Sequence, residues 1–226
     1  MQLITVHMYS PDIASQFVQA LRGETTPAWS WWERDLPELI KKPLDESAAN
    51  RITSALARAM ADANPTFHLE GFGLTPWEAM IDRGVGMLMR PPARVFVDHD
   101  VHPLIVHSMP IRLDLQGGIM GGAWVPPHLI DKLDEMVEKR LELWAKRLQE
   151  AEHDPYPMLA TMRMVVDEAK SSGSGLIEGI NILEPGTQGV ETPAKKKLAP
   201  ALRARIDSAL EQEKQSLIDK LFRKRS

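Results

Sequence analysis

The densest gathering of chemically capable groups in this sequence is Asp98-His99-Asp100-Val101-His102, with His107 close behind. Three of the seven histidines fall within nine positions there, beside two carboxylates. On a strand, side chains alternate, so Asp98, Asp100 and His102 would project from one face and His99 from the other. Oxygen and imidazole ligands together suit zinc, manganese or iron, which makes a metal-dependent enzyme using Asp98–His107 one functional alternative. Against it, neighbouring ligands on one strand seldom close a coordination shell, and no helical motif follows to add a glutamate. The simpler reading is a polar strand end and turn, with Pro103 restricting the chain. On that reading no metal is bound.

Other chemistry has less behind it. Ser108 and Ser174 lie near histidine or glycine, but the sequence contains no Gly-x-Ser-x-Gly elbow. The glycine run Gly117-Gly118-Ile119-Met120-Gly121-Gly122 lacks a following Lys-Ser/Thr, so it is not a P-loop, and its spacing is not the dinucleotide fingerprint. There is no cysteine, which excludes disulfides, thiolate nucleophiles and cysteine zinc sites. We therefore assign no catalytic residue and expect no cofactor.

Charge carries more information. From Lys195 to Ser226 there are ten Lys/Arg against four Asp/Glu, a balance of +6, while the whole chain is −4, so residues 1–194 carry −10. A basic tail on an acidic body is expected where a terminal segment docks on something acidic. On a helical wheel Leu202, Ile206, Leu210, Leu217 and Leu221 share one stripe. Arg223, Lys224 and Arg225 stand at the C-terminal end, where cations complement the helix dipole. The remaining basic residues are scattered and interrupted by Asp207, Glu211, Glu213 and Asp219, whereas a nucleic-acid helix would gather them on one face. The stripe and its basic end are thus a candidate surface for binding protein, with nucleic acid as a third-ranked partner.

The elements that must position these groups follow from periodicity. Helices are predicted over about 11–22, 45–64, 75–90, 126–153 and 155–170, opened by Ser10-Pro11, Asp45, Thr75-Pro76, Pro126-Pro127 and Asp154-Pro155. The last two should pair as an antiparallel hairpin. Val137, Leu141, Trp144 and Leu148 give the longest helix a 4-3-4 seam, so Trp144 should be buried against a helix. Trp29, Trp31 and Trp32 are expected to clamp an irregular segment onto the body, a stacking platform for sugars or bases being the alternative. Residues 2–8 read as a strand or an ordered arm, and 176–183 as a late strand. Between about 93 and 116, β-branched and alternating runs predict short strands, giving a small antiparallel sheet with one wet face. Residues 185–197, with Pro185, Gly186, Gly189 and Pro193, read as a linker between a body of 1–184 and a basic helix of 198–226.

The expected fold is therefore α+β: a helical N-terminal half, a small central antiparallel sheet, a helical hairpin and a tethered C-terminal amphipathic helix. No run approaches the roughly 20 apolar residues that span a bilayer. The start lacks a basic region ahead of an apolar one, so it does not read as a signal peptide. A cytoplasmic location, or a place in a particle assembled inside the cell, is expected. The functional expectation is a non-enzymatic structural or assembly protein. It would be a subunit of a homo-oligomer or of a larger particle such as a virion or its neck, docking through the C-terminal helix.

Overall fold

Ile4–Tyr9 (β1) has all six residues buried, and that burial organises the molecule. The computed structural model describes residues 4–40, 46–63, 66–68, 73–99, 122–180, 190–191 and 198–223. β1 lies at the centre of a five-stranded sheet with Thr66–His68 (β2), Trp124–Val125 (β3), Gly175–Ile180 (β4) and Val190–Glu191 (β5), in the order β3-β4-β1-β2-β5. β1 is antiparallel to β2 and β4, β3 is antiparallel to β4, and β5 joins β2 in parallel. The fold is α+β, as expected.

Two strands of this sheet, β1 and β4, are those expected at 2–8 and 176–183, and the first of the strands expected between 93 and 116 is not formed. Pro92–His99 is a 3-10 helix, because Val95 and Phe96 are buried as neighbours rather than alternately, and Phe96 packs on Phe17 with centroids 6.3 Å apart. The rest of that expected region lies outside the described residues. The described sheet is covered on both faces where β1 and β4 cross it. Val6, Met8, Phe67 and Leu176 enter one apolar core, and Tyr9 and Ile177 enter the other. Two buried faces explain why these strands alternate so weakly in sequence.

One face is covered by Pro11–Leu21 (α1), Trp32–Leu39 (α2) and Glu46–Ala63 (α3). Ser10 caps α1, accepting from the Ile13 N–H, and Pro11 opens it. Trp31 and Trp32 are buried and Trp29 stacks on Trp31, so the tryptophan segment clamps onto the body as expected, but it is not irregular throughout, since Trp32–Leu39 is a helix that accommodates Pro37.

The other face is covered by Leu74–Met80 (α4), Ile130–Glu150 (α5), Pro155–Ser172 (α6) and Pro200–Arg223 (α7). α4 is shorter than the helix predicted for 75–90. Arg147 Nη1 donates to the Ile81 carbonyl, and the Asp82 carboxylate accepts from the Gly84 N–H at 2.9 Å. Those bonds stand in for the next helical turn, and the chain resumes only as a 3-10 turn at Val85–Met87. α5 and α6 form the expected antiparallel hairpin, pinned by Arg163 to Asp134 and Lys170 to Asp134. Asp154 caps α6 and Gly173, at φ 65, closes it. Trp144 is fully buried, as expected. Within the expected linker, Val190 and Glu191 pair with Thr66 and Phe67, so that stretch carries the sheet's edge.

Candidate functional site

The stripe on α7 is divided by the structure. Ile206 and Leu210 belong to the chain's own core and Leu202 packs against it, so the first half of the expected partner-binding surface is seated on its own body. Arg205 fixes that seat: Nε donates to Glu142 Oε1 at 2.8 Å, Nη2 to the Glu138 carbonyl at 2.9 Å, and Nη1 to the Glu138 carboxylate. Glu142 is held below the usual carboxylate range by the Arg205 hydrogen bond, against the upward pull of burial. Further along, Lys146 pairs with Glu213 at 3.6 Å. On the α6 side, the Tyr156 hydroxyl donates to Asp207 at 2.5 Å, and Arg203 lies over the Tyr156 ring at 5.3 Å.

These pairs advance together in number, so α7 runs parallel to α5 in the groove of the hairpin. Past Leu210 the helix faces solvent at Glu211, Gln212, Lys214, Gln215 and Ser216. With Glu213 beside Lys146, Leu217 falls level with Glu150, where α5 ends, yet α7 continues to Arg223. At about 1.5 Å per residue, the helix runs roughly 9 Å past the level where α5 ends. Leu217, Leu221 and Arg223 occupy that overshoot as backbone positions, and Lys224 and Arg225 lie outside the described residues. Of the eight residues assigned to partner binding, Leu202, Ile206 and Leu210 anchor the helix on its own body, Leu217, Leu221 and Arg223 lie at or past the level where α5 ends, and Lys224 and Arg225 lie outside the described residues.

The alternative metal cluster is not assembled as a strand face. Asp98 sits in the 3-10 helix of Pro92–His99, so the alternation that would have aligned it with Asp100 and His102 does not apply. Asp100, His102 and His107 lie outside the described residues. Among the described residues no group of three or more His, Cys, Asp or Glu gathers in metal-binding geometry.

Sequence reasoning passed over four buried ionisable groups, His7, Glu78, Asp82 and Glu178. His7 lies on β1, with Nε2 2.9 Å from Thr5 Oγ1 and Nδ1 3.0 Å from Thr66 Oγ1. The Thr5 hydroxyl donates to the Gly179 carbonyl, so its oxygen is left to take the Nε2 proton and Nδ1 accepts from Thr66. Burial pulls the imidazole down to about 3. Glu178, opposite Val6 on β4, accepts from the Thr75 N–H at 2.9 Å and the Thr75 hydroxyl at 2.8 Å. Burial pushes this carboxyl up to about 7, against those bonds and one from the Leu74 N–H. Gly73 makes room for it, since a β-carbon there would lie 2.6 Å from Oε2. Gly122, at φ 76, passes equally close to the Glu178 carbonyl.

Asp82 accepts from Arg140 Nη1 at 2.7 and 2.8 Å, from Trp144 Nε1 at 2.7 Å and from the Gly84 N–H. Burial acts to raise it, but the bonds from Trp144, Arg140 and Gly84 outweigh that and lower it. A carboxyl titrating near neutrality is a common property of general acids and bases. Here, however, Glu178 is 1% exposed and its oxygens are spent on the start of α4. His7 lies on the opposite face of the sheet, so the two cannot act together. Both are structural. Their one sequence signal was a charged or polar residue inside an apolar strand, Leu-Ile-Glu-Gly-Ile and Thr-Val-His-Met.

Comparison of the chain with protein-family models, curated proteins and solved structures gave no match. Among the described residues no helix is long and apolar enough to cross a membrane.

Proposed function

We propose that this chain is a non-enzymatic assembly protein, a subunit of a homo-oligomer or larger particle, that docks through the projecting end of its C-terminal helix. The reach of α7 past the level where α5 ends carries this reading. Leu202, Ile206 and Leu210 tie the helix to its own subunit. The sequence beyond places Leu217, Ile218, Leu221 and Phe222 at i, i+1, i+4 and i+5, followed by Arg223, Lys224 and Arg225. An apolar stripe ending in cations suits a partner with an apolar seat and an acidic margin, and the body of another copy, at −10 over residues 1–194, offers the acid. Such a contact is heterologous, with one patch meeting a different patch, and so builds rings or extended arrays.

The test is mass in solution, by light scattering, for the full chain and for a chain ending at Glu213. The truncation keeps the Ile206–Leu210 anchor, so it should fold with little change in melting temperature. The full chain should associate and the truncated one should not. Association should survive 1 M salt, where the Debye length falls to about 3 Å, because burial of hydrocarbon is not screened. Equal masses for the two chains would refute the proposal. Tail-dependent binding of DNA or RNA with a steep salt slope would replace it with the nucleic-acid reading.

A further inference from the structure

A groove of about 960 Å³ lies between α5, α6 and the start of α7. Its apolar lining is Ala160, Met164, Leu198 and Leu202, with Ala199 beside them. Met164, Leu198 and Leu202 pack on the core yet stay part-exposed. The lining also carries five carboxylates, Asp134, Glu135 and Glu138 from α5 and Asp167 and Glu168 from α6. Against them stand two cations, Lys139 and Arg163, a balance of −3. Lys170 and Arg205 reach Asp134 and Glu138 from beside the groove, and carboxylates still outnumber cations.

Apolar surface together with acid is the complement of the projecting end of α7, where Leu217, Ile218, Leu221 and Phe222 are followed by Arg223, Lys224 and Arg225. The two do not meet within one molecule. Leu202 lines the groove, and Leu217 lies further along the same unbroken helix, about 22 Å away at about 1.5 Å per residue. A continuous helix holds them apart, so the end reaches a groove only on another copy. Resting on the assembly reading above, we propose that this groove is the seat in which a second copy of the chain places the end of its C-terminal helix. The half-buried Met164 supplies an adaptable floor for the incoming leucines, and the carboxylates receive the cations that follow. Each copy then offers a groove at one end of α7 and a tail at the other. Association is head-to-tail and continues from copy to copy until a ring closes.

The experiment is light scattering on full-length chains with exchanged charges, at about 0.1 M salt, where charges act over about 10 Å. Glu135→Lys with Glu168→Lys turns the lining from −3 to +1. Glu135 pairs with Lys139 at the surface, where an ion pair contributes little, so the melting temperature should hold. Arg223→Glu with Lys224→Glu and Arg225→Glu reverses the tail. Each variant alone should associate about a hundredfold more weakly than the wild type, because like charges then meet. Mixed, the two should associate as tightly as the wild type in alternating order, since every tail finds a groove of opposite sign. Mixing does not rescue a chain that has lost its fold. If the wild type stays monomeric, the assembly reading fails and this seat with it. If the wild type associates through its tail while the groove variant associates equally well, or the mixture stays apart, the seat alone is refuted. A groove variant that melts lower yet associates like the wild type would refute it too, and give the groove to the chain's own Lys195, Lys196 and Lys197.

Discussion

The two faces of the sheet each bury one ionisable residue from adjacent strands, and burial disfavours the charged form of both, lowering His7 and raising Glu178. On the α1–α3 face, His7 is bracketed by two threonine hydroxyls and burial holds it neutral. On the α4–α7 face, burial protonates Glu178 while its oxygens take donors from the start of α4. The surroundings differ in the same sense. The first face is built from rings: Phe17, Trp29, Trp32 and Phe96 pack within 6.3 Å of one another's centroids along a chain of contacts. Its charges stand at the margin, where Arg58 and Asp35 are part-exposed and the exposed Asp62 accepts from Trp31 Nε1 at 2.6 Å. The second face builds polar atoms into the core itself, tying Trp144 and Arg140 to Asp82. Single substitutions should therefore cost most on the second face, where one side chain both packs and satisfies a buried partner.

Trp144→Ala is the largest expected effect. The ring is fully buried, lies edge-on to Trp77 at 5.2 Å, and donates to Asp82 at 2.7 Å. Truncation should cost about 4 kcal/mol through the cavity and the lost donor. For a chain of this size that lowers the melting temperature by roughly 10 °C. An unchanged melting temperature would erase the distinction between the faces.

Next in size is the pH dependence, where the two ionisable groups act against each other. The unfolded chain protonates His7 below about 6.5, whereas the folded chain does so only near 3. Its contribution to stability is therefore lost as pH falls from 6.5 toward 3. Glu178 keeps its proton to about 7 in the folded chain but only to about 4.5 when unfolded, so its contribution is lost as pH rises through that window. Between about 4.5 and 6.5 the slopes oppose, and wild-type stability should be nearly flat. Glu178→Gln should uncover the His7 slope of about 1.4 kcal/mol per pH unit. At pH 8 the variant should be the more stable by about 3 kcal/mol, the cost of ionising the buried carboxyl. Urea unfolding at four pH values decides it. Parallel curves for wild type and variant would assign the titration elsewhere.

What the sequence made legible was local. Caps and prolines marked Ser10-Pro11 and Asp154-Pro155, and the helices there begin where those residues say. The seam through Trp144 and the clamp of Trp31 and Trp32 followed from spacing and from the cost of exposing such rings. The central strands β1 and β4 fall within the stretches 2–8 and 176–183 that read as strands, although burial on both faces left their alternation weak, and of the region 93–116 only the part up to His99 is described, where it is helical. Composition at Val95-Phe96-Val97 resembled a strand, yet packing against Phe17 favours a helical turn. The apolar stripe of α7 was visible, but periodicity gives a face and not its occupant. That Ile206 and Leu210 meet their own subunit is a long-range fact. Asp82 was invisible for the same reason, and Glu178 showed only as a charge inside an apolar strand, since their environments are made by α4, β4 and α5 together.

The smallest expected effect lies at the margin of the aromatic face. The Arg58 guanidinium sits over the Trp31 ring at 4.8 Å and pairs with Asp35 at 2.9 Å, both partners about one third exposed. A cation over an indole contributes about 0.5–1 kcal/mol, and an ion pair this exposed contributes little, commonly under about 1 kcal/mol. Asp35 also keeps Arg34, which bonds it at 2.7 Å, so Arg58→Ala strands no charge. The cost should be about 1 kcal/mol, a fraction of the Trp144 effect. Urea unfolding at low and high salt separates its parts: the Asp35 share should fade at 1 M NaCl, while the contact of the arginine stem with the ring persists. If Arg58→Ala instead cost as much as Trp144→Ala, the charges at this margin would be structural, and the division of the molecule into a ring-packed face and a hydrogen-bonded face would not hold.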